Sequence, residues 1–167
     1  GNGMQPFKTA EDYDEFLKRV DGFVAWTDQA IVNMREGMSK GYTLPKVLAE
    51  RVLPQLEAHI VEDPRQSVFW GPVGKLAPGA ERDALEPRYR ELITTGIVPA
   101  YRALHAFMCD EYLPAARTSV GRSALPDGAN WYALDIRTNT TLPLTAAEIH
   151  RTGLEQVALL HAEFEQV

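Results

Sequence analysis

Histidine and glutamate are the side chains of this sequence that could hold a catalytic metal. The chain contains four histidines, which are His59, His105, His150 and His161. A zinc site on a helix typically needs two histidines four residues apart, with a glutamate after the first, because this spacing points both imidazoles the same way. No histidine here has that context, and the nearest pair, His161 and Glu165, is typical of a helix surface. The sequence therefore predicts no metal ligand and no catalytic residue in this chain.

The pairs His105 with Cys109 and His150 with His161 also have spacings that matter for chemistry. An imidazole four residues from a thiol can activate it as a nucleophile. Cys109, however, lies in an amphipathic apolar segment, and free cysteine is among the most buried residue types, so we expect a core thiol. His150 and His161 are eleven residues apart. They would lie about 16 Å apart along a helix and cannot share one ion.

Aromatic and hydroxyl side chains near the end of the chain are candidates for a binding role. Trp131 and Tyr132 would offer a flat surface with a hydroxyl donor, which suits a peptide; alternatively, they pack under the adjacent loop as a small separate core. Thr140 and Thr141 lie in a segment that we expect to be extended, with backbone groups free to bind. His150 follows one turn after a helix start and either hydrogen-bonds a substrate or has a structural role.

The composition excludes several classes of protein. Asp and Glu number 23 against 17 Lys and Arg, so the net charge is −6 and a nucleic-acid partner is not expected. No apolar run approaches the roughly 20 residues that span a bilayer, so no membrane span is expected. The single cysteine leaves no internal disulfide. The compartment is unknown: we expect a soluble chain whose parent is either periplasmic, as a lipoprotein, or cytoplasmic.

Apolar residues recur every three or four positions over most of the chain, which predicts an all-α fold. We expect long antiparallel helices at about 10–39, 44–61, 80–117 and 145–167, with a loop and short helix at 118–144. The short link between the first two predicts an antiparallel hairpin, because a few residues can only reverse the chain beside itself. We expect 1–167 to form a single helical domain, as a truncated part of a larger protein.

Particular residues mark the starts and breaks of these helices. Thr9 and Thr145 each precede an acidic residue by three positions, which is the pattern of a capping box. Thr43 would begin the second helix, and Pro54 would kink it. Pro99 would force a kink or a restart in the third helix, because it removes a backbone donor.

The segments 64–80 and 118–144 are predicted to be less regular than the long helices. Residues 64–80 are rich in proline and glycine, which predicts a loop with one turn of helix around Val68–Trp70. In 118–144 we expect a short helix at 129–138, followed by an extended segment at 140–144.

Several short motifs, in order over nearly the whole chain, resemble one bacterial family. They are Pro6-Phe7, Thr9 and Asp12-Tyr13 at the start, residues 97–101 and 111–117 in the middle, and Leu125-Pro126, Gly128, Trp131-Tyr132, Thr140-Thr141 and residues 148–150 near the end. This set resembles the bacterial family called domain of unknown function 885.

The resemblance implies that the full-length parent is a helical zinc metallopeptidase-like hydrolase. Its zinc motif, of the His-Glu-x-x-Pro-Gly-His-His kind, belongs on the C-terminal side of the part that this chain covers. The resemblance thus implies zinc in the full-length parent, no cofactor in this chain, and the remainder of the parent as its partner. Tyr132, Thr140, Thr141 and His150 would be cleft residues that bind a peptide substrate, and the chain alone would be inactive.

A second interpretation remains open beside this one. The chain would be a self-standing helical module with no enzymatic role, which binds a peptide or a protein. It would alternatively form a homodimer through exposed apolar helix faces.

Overall fold

A computed structural model describes residues 6–165 of the chain, and its regular elements are helices, as predicted. The chain divides into two compact units, Gly1–Thr118 and Ser119–Val167. The single domain expected over 1–167 stays a prediction. None of the described helices is both long and apolar enough to cross a membrane.

The first unit contains six α-helices and two π-helical turns among its described residues. The α-helices are α1 (Ala10–Ser39), α2 (Lys46–Glu57), α3 (Gly71–Gly74), α4 (Ala80–Leu92), α5 (Val98–Phe107) and α6 (Leu113–Ala115). The π-helical turns, Ile93–Ile97 and Met108–Tyr112, join α4 to α5 and α5 to α6. Residues 80–115 therefore form one continuous helical stretch, which we call the rod.

The start of α1 is the predicted capping box. The Thr9 hydroxyl accepts a hydrogen bond from the Asp12 amide at 3.3 Å, and the Asp12 carboxylate accepts one from the Thr9 amide at 2.8 Å. Hydrogen bonds from the Lys8 amide, which has the larger effect, and from the Thr9 amide lower the pKa of Asp12, because they stabilise its charged form. Helix donors that would otherwise lack partners are thus satisfied locally.

The rod runs parallel to α1. Near the start of both helices, Asp14 forms an ion pair with Arg88 at 2.7 Å, and near their ends Arg35 donates a hydrogen bond to Glu111 at 2.7 Å. The two helices therefore advance in the same direction with their side chains in register.

The helix between them, α2, runs the opposite way along the rod. Before its start, the Thr43 hydroxyl accepts a hydrogen bond from the Arg117 amide at 3.3 Å, at the far end of the rod. After its end, the ring centroids of His59 and Tyr101 are 4.4 Å apart, near the middle of the rod. Because α1 runs parallel to the rod, α1 and α2 are antiparallel, as their short link predicted.

The prediction that Thr43 begins the second helix is wrong. The helix begins at Lys46, with Pro45 before it and no side-chain cap. The Thr43 hydroxyl and carbonyl instead accept bonds from the backbone and guanidinium of Arg117, and the Lys46 amide bonds the Arg117 carbonyl at 2.7 Å. The Thr43 hydroxyl, which the local sequence predicted to cap the helix, instead accepts a hydrogen bond from a residue far away in the sequence. The helix continues past Pro54 to Glu57, and a kink there stays a prediction.

Pro99 marks a restart of the rod, as predicted. The π-helical turn ends just before it, and the Val98 amide bonds the carbonyl of Ile93, five residues earlier. Pro114 follows the second π-helical turn in the same way, and there the Leu113 amide bonds the Met108 carbonyl. Proline crowds the carbonyl four residues before it, and a wider turn relieves that crowding, so the helix continues.

The core of the first unit lies where α1, α2 and the rod meet. One cluster of buried residues comprises Tyr13, Phe16, Val20, Trp70, Val73, Leu85, Tyr89, Ile93, Ile97 and Val98. A second comprises Ile31, Ala49, Leu56, Phe107, Met108 and Tyr112. Burial raises the pKa of the Tyr89 hydroxyl, which donates to the Tyr13 carbonyl at 3.5 Å.

The segment at 64–80 is more ordered than its proline and glycine content predicts. The expected turn over Val68–Trp70 is a 3₁₀ helix, and a second one, Pro64–Gln66, precedes it. Trp70 and Val73 are both buried, so this segment contributes directly to the core. Core burial has overridden the weak helical tendency of the local sequence.

The second unit contains a 3₁₀ helix and two α-helices among its described residues, Arg122–Ala124, α7 (Gly128–Thr140) and α8 (Ala146–Phe164). Gly128 fits beneath the 3₁₀ helix, since a Cβ there would lie 2.3 Å from the Arg122 carbonyl oxygen. The helix α7 is longer than the short helix predicted at 129–138. Its buried residues are Gly128 and Ile136.

Candidate functional site

Tyr132 lies on α7 with its side chain 46% exposed, and Trp131 beside it is 43% exposed. The Arg122 guanidinium lies 5.7 Å from the centre of the Trp131 ring and forms an ion pair with Asp135. The two rings are therefore not buried as a small separate core beneath the loop, which was the alternative expectation. The aromatic surface is open, and its role in binding stays a prediction.

Thr140 and Thr141 lie at the C-terminal end of α7. The prediction that an extended segment begins at Thr140 is therefore wrong. Thr140 is the last helical residue, and Thr141 has a left-handed backbone with φ of 60°. The Thr140 hydroxyl donates to the Ile136 carbonyl at 2.8 Å and accepts from the Leu142 amide at 3.2 Å. The Thr141 amide bonds the Arg137 carbonyl. These groups terminate a helix, so a ligand would have to compete with the bonds of Thr140.

A shallow groove lies beside these threonines. It has a volume of about 360 Å³ between α7 and residues 142–144, with Leu134, Leu142 and Leu144 among its apolar walls. Arg137 also lines it, and its guanidinium has no ion pair within the described part of the chain. The groove combines apolar surface with one cation, which suits an apolar side chain next to a carboxylate.

His150 lies one turn into α8, after the predicted capping box. The Glu148 amide donates to the Thr145 hydroxyl at 3.3 Å, and the Glu148 carboxylate accepts from the Thr145 amide at 2.7 Å. The Thr145 amide, followed by its hydroxyl, lowers the pKa of Glu148 by bonding its charged form. His150 itself is exposed, and no hydrogen bond to its imidazole occurs between residues 6 and 165.

One face of α8 is apolar and uncovered. Leu154, Val157, Leu160 and Phe164 are 60%, 51%, 49% and 75% exposed, respectively. Their spacing of three and four residues places them on one side of the helix. We call these four residues the α8 face. None of the residues of α8 is buried within the part of the chain that the structure describes.

The His105 and Cys109 side chains lie next to each other in the rod. The Cys109 sulfur lies 3.8 Å from both ring nitrogens of His105, and both side chains are half-buried. Cys109 belongs to the second π-helical turn, next to the buried Met108. The thiol is thus only partly buried, and its expected role as a core residue stays a prediction.

Metal ligands are not gathered in the described residues. Between residues 6 and 165, no group of three or more His, Cys, Asp and Glu side chains could hold an ion. The His59 ring packs between aromatic rings, with Phe69 at 5.9 Å and Tyr101 at 4.4 Å. Its position is that of a packing residue.

The first unit contains a pocket that the sequence did not predict. Glu62, Thr94 and Arg102 line an open pocket of about 510 Å³ at the first π-helical turn of the rod. Pro99 was the one signal in the sequence, since it predicted an irregularity at this point. Nothing in the sequence indicated that the segment after α2 would pack there.

Comparison with known proteins places the chain within a family and a fold. The model of the family described as "Bacterial protein of unknown function (DUF885)" matches residues 2–167. No curated protein matches the sequence.

A solved structure, described as "the putative lipoprotein from Colwellia psychrerythraea", is similar with a TM-score of 0.81 and 21% identity. The similarity covers 92% of this chain and 27% of the other, so the chain spans about a quarter of that protein. At this identity the likeness supports the fold alone.

Proposed function

The chain belongs to the DUF885 family, and from that premise we propose that it is the helical scaffold and substrate-cleft part of a zinc-dependent, peptidase-like hydrolase. It would have no catalytic centre of its own. The remainder of the larger protein would supply the metal and the activated water.

The uncovered α8 face is the observation that carries this proposal. A contiguous exposed apolar surface typically marks an interaction site, because its contact with water is unfavourable. The similar solved structure is far longer, since the similarity covers 27% of it. We therefore infer that the remainder of the larger protein packs on the α8 face.

Zinc does not fit the residues described in this chain. A catalytic zinc needs three protein ligands and one open position. No group of three suitable side chains exists between residues 6 and 165. The ligands would therefore come from outside this chain.

Four residues of the second unit would contact the substrate in this proposal. Tyr132 would stack on a peptide, Thr140 and Thr141 would bind its backbone, and His150 would hydrogen-bond it. The groove beside Thr141 contributes Arg137, which suits a substrate carboxylate. All four positions are accessible or half-exposed, so each can be tested by substitution without disturbing a core.

The alternative function is a non-enzymatic helical module that binds a peptide or protein or dimerises through the same face. The α8 face favours it as well, because a second copy could bury the same four residues in a symmetric contact. The two functions differ in what covers α8, and that difference is measurable.

The first experiment measures zinc content and peptide hydrolysis in this chain and in the full-length product of its gene. We expect stoichiometric zinc and hydrolysis in the longer protein only. Zinc bound stoichiometrically by this chain alone would contradict the proposal. Absence of zinc and of hydrolysis in both would leave the binding module as the better function.

The second experiment tests the α8 face with Leu160→Asp, using Leu159→Asp on another side of α8 as the matched control. In the full-length protein, Leu160→Asp should lower the free energy of unfolding by about 2 kcal/mol or more, because a charge replaces a covered side chain. Leu159→Asp should lower the free energy of unfolding by a smaller amount. In the present chain, sedimentation equilibrium decides the alternative: a dimer that Leu160→Asp converts to a monomer would support self-association.

The matched Colwellia protein also bears on the compartment. Its description as a "putative lipoprotein" favours the periplasmic of the two locations expected for the parent. Fractionation of cells that express the full-length gene would test this.

A further inference from the structure

The pocket in the first unit has two walls that come from distant parts of the sequence. Val61 and Glu62, in the segment after α2, form one wall. Thr94, Val98 and Arg102 form the other, at four-residue intervals along the rod. The volume of about 510 Å³ is within the usual range for small-molecule sites.

The pocket combines an apolar floor with two opposite charges. Val61 and Val98 are half-buried and buried, respectively, whereas Glu62 and Arg102 are exposed. Neither charged side chain forms an ion pair or a side-chain hydrogen bond within residues 6–165. One free carboxylate and one free guanidinium therefore face an apolar surface without neutralising each other.

The π-helical turn changes the backbone hydrogen bonding of the same wall. The Val98 amide bonds the carbonyl of Ile93, five residues before it. The same pattern would give the Thr94 carbonyl a bond from residue 99, but Pro99 has no amide hydrogen. The Thr94 carbonyl receives no bond from that position, and Thr94 is one of the residues that line the pocket. Single π-helical turns in α-helices are frequent at functional sites.

We propose that this pocket binds a small apolar zwitterion, in which Glu62 and the Thr94 carbonyl bind the ammonium group and Arg102 binds the carboxylate. The apolar part of the ligand would lie on Val61 and Val98. An α-amino acid with an apolar side chain and a short peptide with free ends share this chemistry. The proposal does not rest on the zinc-dependent function, because it involves only residues of the first unit.

The test titrates this chain with leucine and, separately, with the dipeptide alanyl-leucine, followed by NMR amide shifts and calorimetry. We expect shifts at Thr94 and Val98 and a measurable affinity for at least one probe. Binding of the dipeptide alone would identify a peptide, and binding of leucine alone a free amino acid; either supports the site. Absence of binding by both would overturn the proposal.

Blocked probes and variants identify the groups that bind each end. N-acetylation and Glu62→Gln should each weaken binding about tenfold, because each removes one partner of the ammonium pair. Amidation of the ligand's carboxylate and Arg102→Gln should each weaken binding by a similar factor, because each removes one partner of the carboxylate–guanidinium pair. The controls Glu57→Gln and Arg51→Gln change exposed charges of α2 outside the pocket.

The pattern of losses distinguishes this site from general attraction of charge. Glu62→Gln should leave the affinity for the N-acetylated probe unchanged, since the missing ammonium no longer needs the carboxylate. Equal losses in pocket variants and α2 controls, or unchanged affinity in Glu62→Gln and Arg102→Gln, would overturn the proposal. Hydrolysis and zinc content do not enter this test, so its failure is separate from failure of the proposed function.

Discussion

The two units begin a long helix in the same way and then differ in what covers it. Thr9 with Asp12 starts α1, and Thr145 with Glu148 starts α8, through reciprocal hydrogen bonds of nearly equal length. Yet α1 buries Tyr13, Phe16 and Val20, whereas none of the residues of α8 is buried in the described part of the chain.

This difference separates helix formation from helix packing. Capping residues and apolar periodicity act within a few turns, so they specify both helices equally well. Most of the stability of a helix in a protein comes from packing of its apolar face. The first unit therefore contains its own core, whereas the apolar face of α8 in the second unit is exposed.

The largest effect that would sharpen this contrast comes from Ile93→Ala, compared with Leu160→Ala. Ile93 is fully buried in the first unit, so its truncation should lower the free energy of unfolding by about 2–5 kcal/mol. Leu160→Ala should change it by less than about 0.5 kcal/mol in this chain, because the side chain is already exposed. Urea unfolding followed by circular dichroism measures both. Equal losses would mean that α8 is covered in solution.

The next effect compares two glycines of the second unit. A Cβ at Gly128 would meet backbone atoms of Arg122 and Ser123 at 2.3 and 2.8 Å, respectively, whereas a Cβ at Gly153 would meet nothing within 4 Å. Gly128→Ala should destabilise the second unit by about 1–3 kcal/mol through overpacking. Gly153→Ala should stabilise α8 by about 0.5–1 kcal/mol, because alanine favours helix. Amide hydrogen exchange over α7 and α8 checks both; a loss of protection in Gly153→Ala would show that another chain segment occupies that side.

A smaller effect is expected at the two capping boxes. Thr9→Ala and Thr145→Ala should each destabilise their helix by about 1 kcal/mol through loss of one cap. In α1 this loss should appear in the unfolding of the whole first unit, because the helix is part of its core. In α8 it should appear only in amide exchange of the first turns. Unchanged exchange in Thr145→Ala would contradict the role given to that box.

The smallest effect is a dependence on acid pH. Hydrogen bonds from backbone amides hold the pKa values of Asp12 and Glu148 below their ordinary values. Their contribution to stability is therefore complete above the unfolded pKa of about 4 and is lost as the pH falls through the folded value. The protection factors of the Thr9 and Thr145 amides, which correct for the intrinsic exchange rate at each pH, should fall over that range. Asp12→Asn and Glu148→Gln should each abolish the change at their own site. A loss of protection that persists in these variants would assign it to other groups.

Much of the fold could be predicted from the sequence, because its signals are local. The periodicity gave an all-α chain, and the two capping boxes gave the starts of α1 and α8. Thr43 failed as a helix start because Arg117, distant in sequence, bonds its hydroxyl and carbonyl. A sequence pattern contains no information about such a competing tertiary partner.

The candidate sites also divide into residues that local sequence indicated and residues that only tertiary packing brought together. Tyr132, Thr140, Thr141 and His150 were found from residue type and resemblance, and the structure adds that Thr140 and Thr141 end a helix. Glu62 and Arg102 were missed, because the segment after α2 meets the rod only through packing. Pro99 indicated an irregular turn without indicating a pocket.

The sequence by itself determined the long helices, the capping boxes of α1 and α8 and the membership of the DUF885 family, because these depend on neighbouring residues and on motif order. Tertiary structure decided which apolar faces are covered. It placed Trp70 and Val73 in a core and left Leu160 and Phe164 exposed. Apolar periodicity specifies that a helix has a face to bury, but burial requires a second surface, and which surface that is depends on contacts between segments far apart in the chain.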